Sequence, residues 1–311
     1  MINVKSETLP RPWPSLACGC CAGRSSPRRR LFGAALLGGA ATAAWPAWAR
    51  EGVEVGKQSS FTKLVSADQV ERAATQQYLQ LRQQAAEKKA LAPDNHPQLI
   101  RLRAIEQRIR PHTYEWNERA RQWKWEVSLI GSSQINAFCM PGGKIAFYYG
   151  ILEKLQLSDD EVAMIMGHEA AHALREHARE RMGKNMATRG IVEIGSALFG
   201  LGNVGRSAAD ITGQLLTLQF GREDESEADL IGIELAARAG YDPSAGVTLW
   251  QKMAAASKGA PPQFLSTHPT GPTRIKDIEA NLPKVEPLYA RAERPPQRFE
   301  PPPVKAPEKA S

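Results

Sequence analysis

The chain has 311 residues with 40 Lys/Arg against 33 Asp/Glu, a formal net charge of +7, and 42% hydrophobic residues. Six of the basic residues and one acid lie in residues 1–49, which leaves 34 basic and 32 acidic residues beyond them. That balance, with no basic patch interleaved with aromatics, excludes a nucleic-acid-binding surface. Cys18, Cys20 and Cys21 lie in the same leading segment, so only Cys139 remains beyond it, which excludes an internal disulfide there and suits a buried apolar filler.

Residues 1–49 read as an export signal. Paired arginines in Ser26-Pro27-Arg28-Arg29-Arg30-Leu31-Phe32 stand two residues before a phenylalanine, as in twin-arginine signals. A glycine- and alanine-rich apolar run follows, too short for a membrane span, and Ala47-Trp48-Ala49 fits a small-x-small cleavage site. Arg50 would then open the mature chain, which places it in the periplasm or cell envelope. Residues 50–66 read as a poorly ordered lead-in.

Residues 67–282 read as a single domain. An amphipathic helix is expected over 67–91, with Val70, Ala74, Leu79 and Leu81 at helical spacing. Pro93 and Pro97 end it, and a second helix over 98–110 carries Leu99, Leu102, Ile105 and Ile109. His96 and His112 flank that helix and are expected at the surface. Alternation of bulky and polar residues predicts short strands over 123–129, 135–139 and 144–149, broken by Gly131-Ser132-Ser133 and Pro141-Gly142-Gly143. The expected class is therefore α+β, mostly helical, with a small sheet.

The stretch 158–182 is the chemical centre. Ser158 and Glu161 form a capping box, acidic residues fill the first turn, and the helix is expected to run to Met182. It carries His168-Glu169-Ala170-Ala171-His172. Residues four apart share a helix face, so the two imidazoles can meet one metal ion with Glu169 beside them to handle a proton. A catalytic zinc site usually takes a third protein ligand. The extension H-E-x-x-H-x-x-G-x-x-H fails here, because Arg175 and Ala178 stand at its glycine and histidine positions and His177 is one residue out of place. A carboxylate from the acidic run 221–232 is the other source. Glu225 and Asp229 share a helix face and Glu227 points roughly opposite, so Glu225 is the expected ligand. Asp229, one turn on, is the expected orienter of a ligand histidine.

Between these helices, residues 190–202 are apolar and glycine-broken, too short to cross a bilayer. They suit either a flap over the cleft or a buried helix. The acidic helix should end near Gly240, with Asp242-Pro243 starting the next. A loop over 258–273 holds His268, and residues 283–311, with eight prolines, are expected to be extended and disordered.

Taken together, HEAAH, then Glu225-Ser226-Glu227-Ala228-Asp229 with a glycine three residues later, then Ser266-Thr267-His268-Pro269 followed by Arg274, resemble the CAAX-prenyl-protease/HtpX-type zinc metallopeptidases, gluzincins with HExxH and ExxxD motifs. Residues 135–152 are also similar to the segment that precedes the zinc helix in that family. Within it the chain is most similar to the soluble or peripheral envelope branch of OMA-like and BepA-like enzymes, and the likeness covers about 125–282. The resemblance implies a zincin-like metallopeptidase fold and one Zn2+ per chain held by His168, His172 and Glu225. It implies Glu169 as catalytic base, with His268 approaching the zinc and Arg274 steadying the loop or a substrate carbonyl. The implied activity is a zinc metalloendopeptidase acting on misfolded or misassembled envelope proteins in quality control, either free or peripherally associated with a membrane. The alternative is a latent zinc protein serving as a chaperone-like assembly factor, with His268 closing the fourth position.

Overall fold

At the centre lies a helix with almost no exposed side. The computed structural model describes residues 50–198, 219–257, 262–268 and 273–303; these belong to one unit that begins at Ala49. The expected export signal lies outside the described residues.

Helix α1 (Ala67–Glu87) and helix α2 (Pro97–Ile109) precede a three-stranded sheet made of β1 (Glu126–Ile130), β2 (Ala137–Met140) and β3 (Lys144–Tyr148). The strand order is β1-β3-β2: β1 runs parallel to β3, with Val127 opposite Ile145, and β2 runs antiparallel, with Cys139 opposite Ile145. Thus β2 is an edge strand. On α1 the buried face is Val70, Ala74, Tyr78 and Ala85, while Leu79 is exposed. The aromatic ring, and not the leucine, faces the sheet because its hydroxyl finds partners there: Tyr78 lies 2.8 Å from the Ser128 hydroxyl and donates to the Ile145 carbonyl at 3.1 Å. His96 is not a plain surface residue, since its Nδ1 caps α2 by accepting from the Gln98 amide.

After α3 (Tyr149–Leu155), helix α4 (Asp159–Leu174) starts from the capping box of Ser158 and Glu161. Fifteen of its sixteen residues are buried, which is why its sequence lacks a polar face. Arg101, wholly buried on α2, holds the α4 start by donating to Asp159 at 2.6 Å and to the Leu157 carbonyl. The helix does not run to Met182 as the sequence suggests. It ends at Leu174, Glu176 takes a left-handed φ of 58°, and α5 (His177–Leu198) starts in a new direction. The Glu176 carboxylate at this corner is held by Gln58 and Arg179. Of the segment 190–202, the backbone is helical to Leu198; the remainder lies outside the described residues.

Helix α6 (Arg222–Arg238) crosses α4 at two glycines. A Cβ on Gly167 would lie 2.9 Å from the Gly232 carbonyl oxygen, and one on Gly232 would lie 3.0 Å from the His168 amide nitrogen. The two backbones therefore touch. Helix α6 ends at Arg238 and Gly240 follows at φ 85°, as its left-handed capping role requires. Helix α7 (Ala245–Ala256) begins two residues later than the Asp-Pro signal suggests, because the Asp242 carboxylate first closes a turn onto the Ser244 amide. Short helix α8 (Gln263–Thr267) falls within the expected loop 258–273, and α9 (Arg274–Arg291) closes the domain against α6.

Both segments expected to be loose are fastened in their described parts, residues 50–66 and 283–303. Helix α9 runs through Pro283 and Pro287, whose exposed positions leave the freed carbonyls to water while Val285 and Leu288 are buried. Beyond it the chain is extended but docked: the Phe299 amide donates to Asp159, and the Glu300 and Pro302 carbonyls accept from Gln98 and Gln156. At the other end the buried Glu234 carboxylate takes Arg50 and the Val53 amide, and Gly52 passes over it at φ 113°, where a Cβ would lie 2.2 Å from an oxygen of Glu234.

The Tyr78 contact gives an alkaline test. Burial holds its phenol at about 12, against about 10 in an unfolded chain. Between those pH values the unfolded state releases a proton that the folded state keeps, so stability falls as pH rises. Tyr78→Phe should cost about 1 kcal/mol at neutral pH. It should also reduce the loss of stability between pH 10 and 12, measured by urea unfolding; Tyr241, also raised to about 12, supplies a similar share that the variant keeps.

Candidate metal centre

The glycine crossing sets one face of α4 against the first two turns of α6. His168 and His172, one turn apart on α4, face Glu225 and Asp229, one turn apart on α6. His168 Nε2 and His172 Nε2 lie 3.2 Å apart, and they lie 3.6 and 3.5 Å from the two oxygens of Glu225. His268, just after α8, brings its Nδ1 to 3.0 Å from Glu225 and 3.4 Å from His168 Nε2. All four residues are buried, and their ligand atoms fall within 4.8 Å of one another.

These spacings fit a metal. Four ligands at 2.0–2.1 Å around a tetrahedral ion are separated by about 3.3–3.4 Å, which the edges of this cluster bracket. The protonation pattern fits as well. Asp229 is ionised, since burial, which pushes its carboxyl up, is outweighed by Arg274 and His168, which hold it at about 2. It can therefore only accept, so His168 donates from Nδ1 at 3.0 Å and turns the lone pair of Nε2 to the centre. Burial, followed by the neighbouring His168, His177 and His268, drives the His172 imidazole well below its ordinary pKa, which keeps it neutral. Burial also raises Glu225, but His268, His168 and Arg274 outweigh it and keep the carboxylate charged. Two imidazole nitrogens and an anionic oxygen converging in a buried site suit a divalent cation such as zinc.

Arg274, at the start of α9, ties the carboxylates together. Its Nη1 is 2.7 Å from Glu225, its Nε and Nη2 grip both oxygens of Asp229 at 2.7 Å, and its guanidinium stacks 3.5 Å above the Trp250 ring. Glu169 points to the other side of the cluster, with its buried Oε1 3.4 Å from His268 Nε2 and without a hydrogen-bond partner among the described residues. Burial raises its carboxyl, against the lowering effect of the two histidines and the Cys139 backbone amide. A cleft opens beside it, with Phe138, Cys139 and Met140 of edge strand β2 on one wall and His172, Phe220 and His268 opposite. Buried Cys139 serves the wall, its thiol pushed well up by burial.

Every residue singled out in the sequence thus meets at one place: His168, Glu169, His172, Glu225, Asp229, His268 and Arg274. Three neighbours were not singled out. Phe220 stacks on His172 with ring centroids 4.0 Å apart. His177 approaches His172, and Glu227, expected to point away, binds Arg175 and reaches His177. The sequence holds no sign of the helix break that assembles them.

A small sheet beside a helix bearing two metal-facing histidines, a glutamate between them and a carboxylate from a second helix define a metallopeptidase. The chain belongs to peptidase family M48, whose model matches residues 99–282. It is 36% identical to the mitochondrial metalloendopeptidase OMA1 of Schizosaccharomyces pombe over 173 residues, covering 52% of this chain and 48% of that protein. Likeness to the same-named Arabidopsis thaliana protein is 38% over 159 residues, covering 51% and 32%. The beta-barrel assembly-enhancing protease of Escherichia coli K12 is 28% identical over 174 residues, covering 53% and 36%. The chain thus spans half or less of the length of these relatives.

Arg274 offers a direct check on the electrostatics. Arg274→Met leaves two buried carboxylates without their cation and should destabilise the metal-free protein by about 3–5 kcal/mol. Arg274→Lys, which restores charge without the fork, should recover only part of that in urea unfolding.

Proposed function

We propose that the chain is a zinc-dependent metalloendopeptidase that cleaves misfolded or misassembled proteins of the cell envelope. The observation that carries this reading is the convergence of His168, His172 and Glu225, their donor atoms 3.2–3.6 Å apart, with a Glu169 oxygen unpartnered among the described residues beside them and an edge strand forming the wall. One zinc ion per chain would be held by those three residues, and when bound it supplies Lewis-acid polarisation of a peptide carbonyl and acidifies water. Asp229 orients His168, and Arg274 holds Asp229 and Glu225 in register. A peptide lying extended along β2 takes main-chain hydrogen bonds from its open edge, which fixes the scissile bond near Glu169. Glu169 accepts a proton from water and delivers it to the leaving amine. Its upward shift brings it closer to the basicity that both transfers need.

Location and partners follow from the leading segment and the relatives. The paired arginines and the Ala47-Trp48-Ala49 site support export and release of a chain starting at Arg50. The likeness to a protease named for β-barrel assembly supports envelope polypeptides as substrates, met either in solution or at a membrane surface; among the described residues no helix is long and apolar enough to cross one.

The position of His268 favours a second state of the same site. Its Nδ1 stands where a fourth ligand would, within 3.0–3.4 Å of Glu225 and His168. With that histidine in place the centre is latent, and the chain would act as a binding or assembly factor until the loop withdraws.

Glu169→Gln should retain zinc and lose cleavage of unfolded casein by about 10²–10⁴-fold. Chelation should abolish cleavage, and Glu225→Gln should lower zinc content below one per chain. Full activity of Glu169→Gln, or undiminished zinc in Glu225→Gln, would remove the assigned roles. For the latent state, His268→Ala should raise the casein rate above that of the parent; a drop would make His268 a contributor to catalysis and not a gate.

A further inference from the structure

On an unbroken helix a residue five positions beyond His172 would lie about 140° round the axis from it. The corner at Glu176 changes this: α5 starts afresh at His177, and the two Nδ1 atoms lie 2.8 Å apart. Two nitrogens at that distance share one proton. The other ring nitrogen of His177, Nε2, lies 3.4 Å from Glu227 Oε2, which accepts from Arg175 Nε at 2.8 Å. Arg175 in turn donates to the Gly56 carbonyl at 2.6 Å. His177 is buried, at 3% exposure, so no solvent competes for its nitrogens.

The direction of this chain follows from its end. A carboxylate bound by a guanidinium accepts, so His177 gives Glu227 its Nε2 proton and presents the lone pair of Nδ1 to His172. His172 must then carry its proton on Nδ1 and turn Nε2, unprotonated, to the centre. Without His177 the buried Nδ1–H of His172 has no acceptor, and the ring is free to exchange tautomers or tilt.

The geometry points to His177 as a positioning residue that, backed by Glu227 and Arg175, locks the tautomer and ring plane of His172. Asp229 does this for His168 directly; the second histidine is reached through an intervening imidazole, and both carboxylates come from α6. Orienters of this kind typically govern metal affinity by 10–100-fold. The inference rests on the reading that His172 holds the metal.

The test uses the full chain, with zinc affinity from competition against a chromophoric chelator and the visible bands of the cobalt(II)-loaded protein. His177→Ala should weaken zinc binding by about 10–100-fold and shift the cobalt bands. Glu227→Gln should do the same to a smaller degree, and adding it to His177→Ala should weaken binding no further, as expected for two members of one chain. Parent-like affinity and parent-like cobalt bands in His177→Ala, or fully additive losses in the double variant, would overturn the assignment. Should His177→Ala fail to fold, Glu227→Gln decides, and parent-like values there overturn it equally. A parent chain that binds no zinc sinks both this inference and the metal-centre reading, whereas a zinc-binding parent with an indifferent His177 sinks only this one.

Discussion

Two glycines facing each other set the distance on which the centre depends. Helices normally pack 8–10 Å apart, with side chains between them. At Gly167 and Gly232 nothing intervenes, and the backbones of α4 and α6 meet. Only at that separation can short histidine and carboxylate side chains from opposite helices converge on a sphere the size of one ion. A methyl group at either position would push the helices apart and lengthen at once the edges that join the α4 histidines to Glu225.

Bringing three carboxylates and four imidazoles into an apolar interior carries a large desolvation cost, and the surrounding side chains show how it is offset. Arg274 pairs with both Glu225 and Asp229, gripping the latter with bidentate geometry, and spreads its charge over Trp250. The neutral His172 imidazole needs only one donor and one acceptor, and the aromatic faces of Phe220 and Phe264 cover the flat sides of His172 and His268. Residual frustration sits on Glu169, whose buried Oε1 has no hydrogen bond among the described residues. That is also the residue to which the proposed proton transfers are assigned.

Much of this was legible in the sequence, for local reasons. The capping box, the pair of histidines at a spacing of four and the acids at 225 and 229 are statements about single helices, and single helices keep their promises. The gly-broken strands and the position of Gly240 belong to the same class. What escaped the reading depends on contacts between distant residues. Nothing near Glu176 announces a left-handed turn, because it is held by Gln58, more than a hundred positions away in the chain. The docked tail reads as proline-rich and loose, yet its amides and carbonyls answer to Asp159, Gln98 and Gln156. The lead-in likewise owes its order to Glu234.

The edge strand β2 has a consequence for selectivity. Its free edge offers a visiting chain backbone hydrogen-bonding groups at every second residue, the others being spent on β3, with Phe138 and Met140 beside them in the cleft wall. Such a surface discriminates by backbone availability and hardly at all by amino-acid identity. Under the proposed activity, polypeptides whose amides are already satisfied in their own helices and sheets would have little to give it, so unmet backbone valence, and not a recognition code, would mark a substrate.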